Sequence, residues 1–283
     1  MAPPKRVAIQ GVAGAFHELA AQKFFGKNIE AVECDTFREL AQKLRASEVD
    51  VAVMAIENTI AGTLLPNYSL INEFDLKVVG EVYLHIEMQL MALPGVPLSQ
   101  IAYIHSHPIA IAQCREFLDT LPPTVTVVEK NDTAESAQLI IANKLADTAA
   151  IAGRLAAEMY GLHVIAEDIH TCKQNFTRFL ALSREPCRSD SNNKASLCFE
   201  VVHRSGSLAH ALGIWAKHGI NLTKIQSAPI IGKPYQYRFY VDLEWSSREA
   251  YRQAMAEVSA CTTNRNMLGE YARNSWEDET SKI

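Results

Sequence analysis

Apolar runs alternate with stretches of helical periodicity along the first two thirds of the chain. Residues 7–9 and 51–56 are uninterrupted apolar runs, which are typical of strands covered on both faces. The pattern predicts further strands over 77–93, 101–104, 124–128 and 149–151, and helices over 17–25, 36–46, 67–73, 107–118, 132–143 and 154–160. Strands that alternate with helices in this way indicate an α/β sheet with its functional groups at the strand ends.

The pattern changes at residues 183–194, which are polar and lack apolar periodicity, so they are interpreted as a linker. Beyond the linker, the pattern predicts strands over 195–203, 221–229, 237–244 and 267–271, and helices over 206–218 and 247–260. This βαββαβ order is typical of a ferredoxin-like unit. The chain is therefore expected to contain two domains.

The composition narrows the class of protein. With 283 residues, 48% of them hydrophobic, the chain suits one large or two ordinary domains with a well-filled core. The net charge of −5 argues against a nucleic-acid partner. Charges of both signs are interspersed, so there is no polybasic arm for a membrane.

The cysteines and the N-terminal residues indicate the compartment. The six cysteines are widely spaced and form no Cys-x-x-Cys pair, which predicts free thiols in a reducing environment. The apolar run after residues 1–6 is too short for a signal peptide, and no run has the length of a transmembrane helix. We therefore expect a cytoplasmic protein.

A glycine-containing loop at residues 11–17 follows the first strand and opens a helix. Backbone N–H groups at a helix N-terminus attract anions, and a carboxylate would fit there. The glycine spacing matches neither the dinucleotide fingerprint nor the P-loop. The alternative interpretation is a glycine turn that packing requires.

Two further segments combine polar residues with helix starts. Residues 57–62, Glu-Asn-Thr-Ile-Ala-Gly, follow an apolar strand and therefore lie at a sheet edge; alternatively, Asn58 and Thr59 cap the next helix. Residues 106–110 read Ser-His-Pro-Ile-Ala, and the alternative there is an N-cap by Ser106 or His107 before Pro108.

Residues 175–179, Asn-Phe-Thr-Arg-Phe, carry the most specific chemistry in the chain. They place an amide, a hydroxyl and a guanidinium between two aromatic rings. Such groups can hold and protonate a small carboxylic acid. The alternative is an amphipathic strand with Phe176 in the core.

Together these segments resemble the prephenate dehydratase family, in its monofunctional form with a C-terminal ACT domain. In the family's order, they match its Ser-His-Pro-x-Ala and Asn-x-Thr-Arg-Phe motifs, and its Glu-Asn-Ser-x-x-Gly motif with Thr59 in the serine position. Ala15 and His17 stand where the family usually carries small hydroxyl residues. Since nothing precedes the first strand, a fused chorismate mutase is not expected.

The resemblance implies a fold in two parts. Residues 1–186 would form an α/β catalytic domain with two lobes, like a type II periplasmic binding protein. The lobes would comprise roughly residues 1–80 with 170–186, and residues 81–169, and the site would lie in the cleft. Residues 195–272 would form the ferredoxin-like βαββαβ ACT regulatory domain.

The resemblance also implies a lyase reaction. Prephenate would lose CO₂ and its ring hydroxyl to give phenylpyruvate, with no metal, redox cofactor or covalent nucleophile. Thr177 is the implied donor to the departing hydroxide, Glu57 a rival or supporting acid, and Arg178 the expected partner of the pyruvyl carboxylate. The implied substrate-binding residues are Ala13, Gly14, Phe16, His17, Asn58, Thr59, Gly62, His107, Asn175, Phe176 and Phe179.

Residues 205–212 and 226–229 resemble the effector-binding segments of these ACT domains. The implied effector is L-phenylalanine, the end product of the pathway, bound where two ACT domains meet in a homodimer or homotetramer. The implied effector-binding residues are Ser205, Gly206, Ser207, Leu208, Asn221, Leu222, Gln226, Ser227, Ala228 and Pro229. Gln226 and Ala228 depart from the family's Glu and Arg, and Ser207 replaces an alanine. The alternative is that the domain only dimerises.

Two rival functions remain open from the sequence. An arogenate dehydratase would use the same scaffold for a substrate with an amino group in place of the keto oxygen. A non-catalytic amino-acid sensor would use the cleft for binding alone, although Thr177 and Arg178 argue against that reading.

Overall fold

The computed structural model describes residues 3–274, which divide into two units. The first unit comprises residues 3–63 and Val82–Phe179, and the second comprises Leu64–Glu81 and residues 180–274. Residues 1–2 of the predicted catalytic domain lie outside the described residues. The predicted domain boundaries remain a prediction.

The strands are β1 (Lys5–Gln10), β2 (Ile29–Cys34), β3 (Val51–Asn58), β4 (Gly62–Thr63), β5 (Lys77–His85), β6 (Gln89–Ala92), β7 (Tyr103–Ser106), β8 (Thr126–Glu129), β9 (Thr148–Ala152), β10 (His163–Ala166), β11 (Phe176–Ser183), β12 (Lys194–Glu200), β13 (Asn221–Pro229), β14 (Tyr237–Glu244) and β15 (Thr263–Tyr271). The helices are α1 (Phe16–Phe25), α2 (Phe37–Arg45), α3 (Leu65–Glu73), α4 (Pro108–Gln113), α5 (Arg115–Leu118), α6 (Thr133–Asn143), α7 (Arg154–Tyr160), α8 (Ser207–Lys217) and α9 (Arg248–Val258).

A six-stranded sheet has the order β2-β1-β3-β11-β5, with β4 paired to β3. β1 lies parallel to β2 and β3, and helices α1 and α2 pack against β1 and β3. Val7, Ile9 and Val53 are fully buried, as the apolar runs predict for strands covered on both faces. β5 and β11 each contribute residues to both units.

A five-stranded mixed sheet has the order β10-β6-β9-β7-β8 and lies within the first unit. β7 runs parallel to β8 and β9, whereas β6 runs antiparallel to β9 and β10. Its buried side chains include Leu90, Ile104 and Ile151. The chain enters this sheet after β5 and leaves it before β11, so it crosses twice between the six-stranded and the five-stranded sheet.

The second unit contains a four-stranded antiparallel sheet of order β13-β14-β12-β15. Helices α8 and α9 pack on one of its faces through a core that includes Phe199, Trp215, Val241 and Val258. The βαββαβ order predicted from the sequence is confirmed, and with it the α/β class of the chain.

Local capping follows the sequence closely. Asp132 accepts hydrogen bonds from the backbone N–H groups of Ala134 and Glu135 at the start of α6, as predicted. Thr36 caps α2 through the N–H of Glu39. α7 ends at Gly161, whose φ of 63° lies in the left-handed region that glycine adopts without strain.

The predicted helix over 107–118 is wrong in one respect, because it is two helices. Cys114 separates α4 from α5 with φ −105° and ψ 17°, outside the helical region. Its N–H donates to the carbonyl oxygens of both Ala110 and Ile111, and its side chain is fully buried. Apolar periodicity continues through this turn, so the pattern alone does not reveal it.

Strands β2 and β10 were not expected. Both are outer strands of their sheets, and β2 is half-buried with two glutamates among its six residues. An outer strand has only one covered edge, so its apolar signal is weak. Among residues 3–274, no helix combines the length and the hydropathy that crossing a membrane requires.

Candidate active site

Asn58, at the end of β3, lies at the centre of a partly buried polar network. Its Nδ2 donates to Asn175 Oδ1 at 2.8 Å, to Thr177 Oγ1 at 2.9 Å and to the Phe176 carbonyl oxygen at 3.3 Å. Its Oδ1 accepts from the N–H groups of Ile60 and Ala61 at 2.9 and 2.8 Å. Bonds to both ends of the amide fix its orientation and tie the 57–62 loop to β11.

The side chains of β11 alternate between two sides of the strand. Asn175, just before the strand, and Thr177 bond to Asn58, whereas Phe176 and Arg178 line a cavity. Asn175 is fully buried, and Thr177 and Arg178 are 9% and 4% exposed. The motif of residues 175–179 is therefore both a buried strand and a cavity wall, so the two interpretations of its sequence are compatible.

The cavity has a volume of about 620 Å³ and lies in the first unit. Of the residues predicted for the site, Glu57, Thr59, Phe176 and Arg178 line it. The other lining residues are Ile60, Tyr83, Cys172 and Gln174. None of these four was predicted as a site residue, although Ile60 lies within the 57–62 segment and Gln174 directly precedes residues 175–179. Tyr83 lies in none of the recognised motifs.

Thr59 joins the loop to β11 through three hydrogen bonds. Its N–H donates to the Phe176 carbonyl oxygen, its Oγ1 accepts from the Phe176 N–H at 2.9 Å, and its hydroxyl donates to the Gln174 carbonyl oxygen at 3.0 Å. The hydroxyl retained at this position therefore shapes the cavity wall. Gly62, with φ 83°, forms the turn that pairs β4 with β3.

Gln113 extends the network to the helix that follows the Ser-His-Pro segment. Asn175 Nδ2 donates to Gln113 Oε1 at 3.1 Å, and the Asn175 carbonyl oxygen accepts from the Ile86 N–H at 2.7 Å. Gln113 was not predicted as a site residue. Its place one and a half helical turns after Pro108 was the available signal, but only the fold brings it to Asn175.

The loop before α1 already holds two carboxylates of the protein itself. Glu33 Oε1 accepts from the Ala13 N–H and Glu18 Oε2 from the Gly14 N–H, both at 2.7 Å. A Cβ added to Gly14 would come within 3.0 Å of Ala156 Cα, so close packing also requires the glycine. These contacts support the packing interpretation, and substrate binding by Ala13 and Gly14 stays a prediction.

Phe16 and His17 lie at the start of α1 in different surroundings. Phe16 contributes to a cavity of about 240 Å³ together with His85, Glu87 and Arg154. His17 Nε2 accepts from the Ala55 N–H at 3.3 Å, and its ring meets the Phe179 ring edge-on with centroids 5.1 Å apart. Burial lowers the pKa of His17 to about 4, so the ring is neutral near pH 7.

Ser106 and His107 have structural partners. His107 Nδ1 accepts from the Ile109 N–H at 3.2 Å and so caps α4, which was the alternative interpretation for this residue. The buried Ser106 hydroxyl donates to the Ile151 carbonyl oxygen at 2.6 Å. A contact of His107 with substrate stays a prediction.

The residues predicted to bind an effector fall into two groups in the second unit. Ser205, Gly206 and Ser207 line a cavity of about 430 Å³ with Arg204 and His210, and Ser207 and Leu208 line a smaller one. Gly206 has φ 81°, and α8 begins there without a side-chain cap. The second group, Asn221, Leu222, Gln226, Ser227, Ala228 and Pro229, lies along β13, an outer strand of the sheet.

A model of the prephenate dehydratase family matches residues 7–187. The chain belongs to this family. It is 40% identical to arogenate dehydratase 5, chloroplastic, of Arabidopsis thaliana, over 94% of this chain and 67% of the relative. The resemblance of its motifs to the prephenate dehydratase family is thereby confirmed, as is the expectation of a lyase.

Solved structures agree on the fold. A prephenate dehydratase of Arthrobacter aurescens in complex with L-Phe superposes with a TM-score of 0.84 at 29% identity, covering 95% of this chain and 90% of that one. GqqA, described as a novel type of quorum quenching acylase, gives 0.87 at 29% identity, covering 96% and 100%. Prephenate dehydratases and a protein described as an acylase thus share this fold, so residues must carry the functional argument.

Proposed function

We propose that this chain catalyses the decarboxylating dehydration of prephenate to phenylpyruvate, water and CO₂, and that L-phenylalanine inhibits it through the βαββαβ unit. The observation that carries the proposal is the placement of two neighbouring groups on β11: Asn58 holds the Thr177 hydroxyl on one side of the strand, and Arg178 lines the cavity on the other. Family membership supports the reaction class.

The hydrogen-bond polarity at Thr177 suits a donor. Thr177 Oγ1 accepts the Asn58 N–H, so its own proton is directed away from Asn58. In the reaction, the electron pair of the bond between the ring and the departing carboxylate enters the ring and CO₂ leaves. The ring C–O bond breaks and releases hydroxide, which takes up a proton from the solvent to become water. A hydrogen bond from Thr177 strengthens as charge develops on the departing oxygen, which lowers the barrier.

Arg178 suits the carboxylate that is kept. A guanidinium binds a carboxylate bidentately, and clamping the pyruvyl group orients the ring without stabilising the carboxylate that must be lost. Glu57 lines the same cavity and is the second candidate donor. Asn58, Thr59 and Asn175 hold the strand and the loop in register, and the remaining predicted contacts would orient the substrate.

The test is phenylpyruvate formation from prephenate at neutral pH, followed by absorbance after adding alkali, with and without L-phenylalanine. Turnover that L-phenylalanine suppresses supports both parts of the proposal. Turnover that L-phenylalanine does not change supports the dehydratase activity and contradicts the proposed inhibition. The departures at Gln226 and Ala228 would then be the first explanation to test. No turnover removes the prephenate assignment.

Arogenate is the second candidate substrate, because the Arabidopsis relative is named for it. The same assay with arogenate, which yields phenylalanine, separates the two by the ratio of kcat/KM values. Failure on both substrates would leave the non-catalytic sensor.

We also propose the domain boundaries, the oligomeric state and the localisation of the protein. The catalytic domain would occupy residues 1–186 and the ACT domain 195–272, with homodimers or tetramers forming through the ACT domains, and the protein would be cytoplasmic. β13 supports the assembly, because an outer strand of nine residues offers unpaired backbone groups to a second copy. Light scattering coupled to gel filtration measures the oligomer.

A further inference from the structure

In the sequence, residues Leu64–Glu81 lie between two residues that line the cavity. Ile60, four residues before Leu64, lines the cavity, and so does Tyr83, two residues after Glu81. The segment itself belongs to the second unit, with the four-stranded sheet. Both of its ends therefore continue directly into residues of the candidate active site.

Helix α3 within this segment contacts the four-stranded sheet through polar and aromatic groups. Asn72 Oδ1 accepts from Asn266 Nδ2 at 2.9 Å and from Cys198 Sγ at 3.3 Å. The ring centroids of Tyr68 and Tyr240 lie 5.3 Å apart. Polar contacts of this kind are directional, so they fix the position of the helix on the sheet.

A buried ion pair holds the other end of the segment. Lys194 Nζ lies 3.0 Å from Glu81 Oε1 and 3.0 Å from Glu244 Oε1, and the Lys194 and Glu81 side chains are 3% and 0% exposed. Glu81 Oε1 also accepts from the Asn274 N–H at 3.0 Å. Buried ion pairs add little net stability compared with apolar packing, yet removing one partner leaves an uncompensated charge. A positional role accounts better for such a pair.

We propose that Glu81 and Lys194 are positioning residues, which fix β5 to the four-stranded sheet and thereby set Tyr83 in the cavity wall. Glu81 and Tyr83 are two residues apart on one strand, so a displacement of one carries the other with it. The kinetic part of this inference rests on the proposed function.

The test compares Glu81→Gln with Asp75→Asn. Glu81→Gln removes the buried charge at nearly constant shape. Asp75→Asn breaks the exposed pair with Lys77 in the same segment, and asparagine tolerates the φ of 49° at this position. Hydrogen exchange of the backbone amides of residues 82–86 measures how firmly β5 is held, without any ligand. The kcat and KM for prephenate report the effect on the cavity.

For Glu81→Gln we expect about tenfold faster exchange over 82–86 and about a tenfold higher KM, with a smaller change in kcat. Asp75→Asn should change none of these. Glu81→Asp retains the charge on a shorter arm and should lie between wild type and Glu81→Gln. If Glu81→Gln lowers only the melting temperature, while exchange over 82–86 and KM match Asp75→Asn, the proposal is overturned.

The test still gives an answer if Glu81→Gln does not fold or if the wild type does not turn over prephenate. If Glu81→Gln does not fold, the comparison of Glu81→Asp with Asp75→Asn decides: faster exchange over 82–86 in Glu81→Asp supports the proposal, and equal exchange overturns it. If the wild type does not turn over prephenate, the proposed function fails. The exchange comparison then still decides whether Glu81 and Lys194 position Tyr83.

Discussion

At the scale of single residues, Asn58 organises the candidate site. One amide donates to the Thr177 hydroxyl and to the Asn175 side chain while accepting from two backbone N–H groups. Asn58 is half-buried, but its partners Asn175 and Thr177 are buried, so losing the Asn58 amide would leave their polar groups without a hydrogen bond. In the proposed reaction, Asn58 holds Thr177 in place rather than reacting itself.

Thr177→Val should lower kcat by about 10²- to 10³-fold, the usual loss when one positioned hydrogen-bond donor to a developing oxyanion is removed. The valine is nearly isosteric, so the fold should persist. Phenylpyruvate formation measures the change. Thr148→Val is the matched control, since Thr148 is also buried on a strand but its hydroxyl bonds to Asp147. Equal losses in both variants would assign the effect to folding.

His17 should make stability depend on pH in the acid range. Its pKa is about 4 in the folded chain and 6.5 when the ring is exposed. Between these pH values, the imidazole is therefore protonated in the unfolded chain and neutral in the folded one. Stability therefore falls as the pH drops from 6.5 towards 4, by about 3 kcal/mol in total for this residue.

Urea unfolding at pH 7 and pH 4.5 checks this expectation. His17→Gln keeps an acceptor for the Ala55 N–H but does not titrate in this range. The wild type should therefore lose about 2 to 3 kcal/mol more than His17→Gln between the two pH values. Parallel losses in the two proteins would show that His17 is not the group responsible.

At the scale of elements, the second unit depends on a close backbone approach. A Cβ added at Gly269 on β15 would overlap the carbonyl oxygen of Val78 on β5 and would lie 2.9 Å from Val78 Cβ. Only glycine allows these two strands to approach so closely. The glycine at position 269 is therefore required by the contact with β5, since a strand by itself would favour a larger residue.

Gly269→Ala should destabilise the second unit by about 3 kcal/mol, at the upper end of the usual cost of overpacking. Gly213→Ala is the control within the same unit, because a Cβ at this position in α8 would meet nothing within 4 Å. Alanine there should stabilise by up to about 1 kcal/mol. Denaturant unfolding followed by circular dichroism measures both, and similar values would contradict the close-approach argument.

At the scale of the whole molecule, the compact units do not follow the order of the chain. Leu64–Glu81, from the first half of the sequence, belongs to the same unit as the four-stranded sheet. Tyr240, Ser196 and Asp242 are buried on this sheet, and α3 contacts Tyr240. This polar face of the sheet is covered by a segment that is distant in sequence, so its burial depends on the tertiary fold and not on the local sequence.

A fragment comprising residues 190–274 should consequently be much less stable than the same residues in the full chain. Without residues 64–81, Tyr240 loses its contact with Tyr68, and Lys194 loses Glu81. Thermal unfolding followed by circular dichroism measures the difference. A fragment that also carries residues 64–81 through a linker is the control and should recover stability. Equal melting temperatures would show that the segment does not support the sheet.

The sequence by itself determined the elements with strong local signals. β3 and the strands β13 and β14 follow from burial on both faces or from alternation, and the cap of α6 follows from Asp132. Residues 175–179 identified the family because they combine scarce chemical groups in a short span. Each of these signals lies in a few neighbouring residues, so the sequence alone is enough to predict them.

Only the tertiary structure decided which groups meet. Gln113 and Asn175 are 62 residues apart in sequence, and Asn58 and Thr177 are 119 apart. Glu33 and Glu18 take the loop donors that the sequence assigns to substrate, and Tyr83 reaches the cavity without any motif. Such contacts arise when strands from distant parts of the chain pair and pack, and their free energy depends on burial that no local pattern encodes.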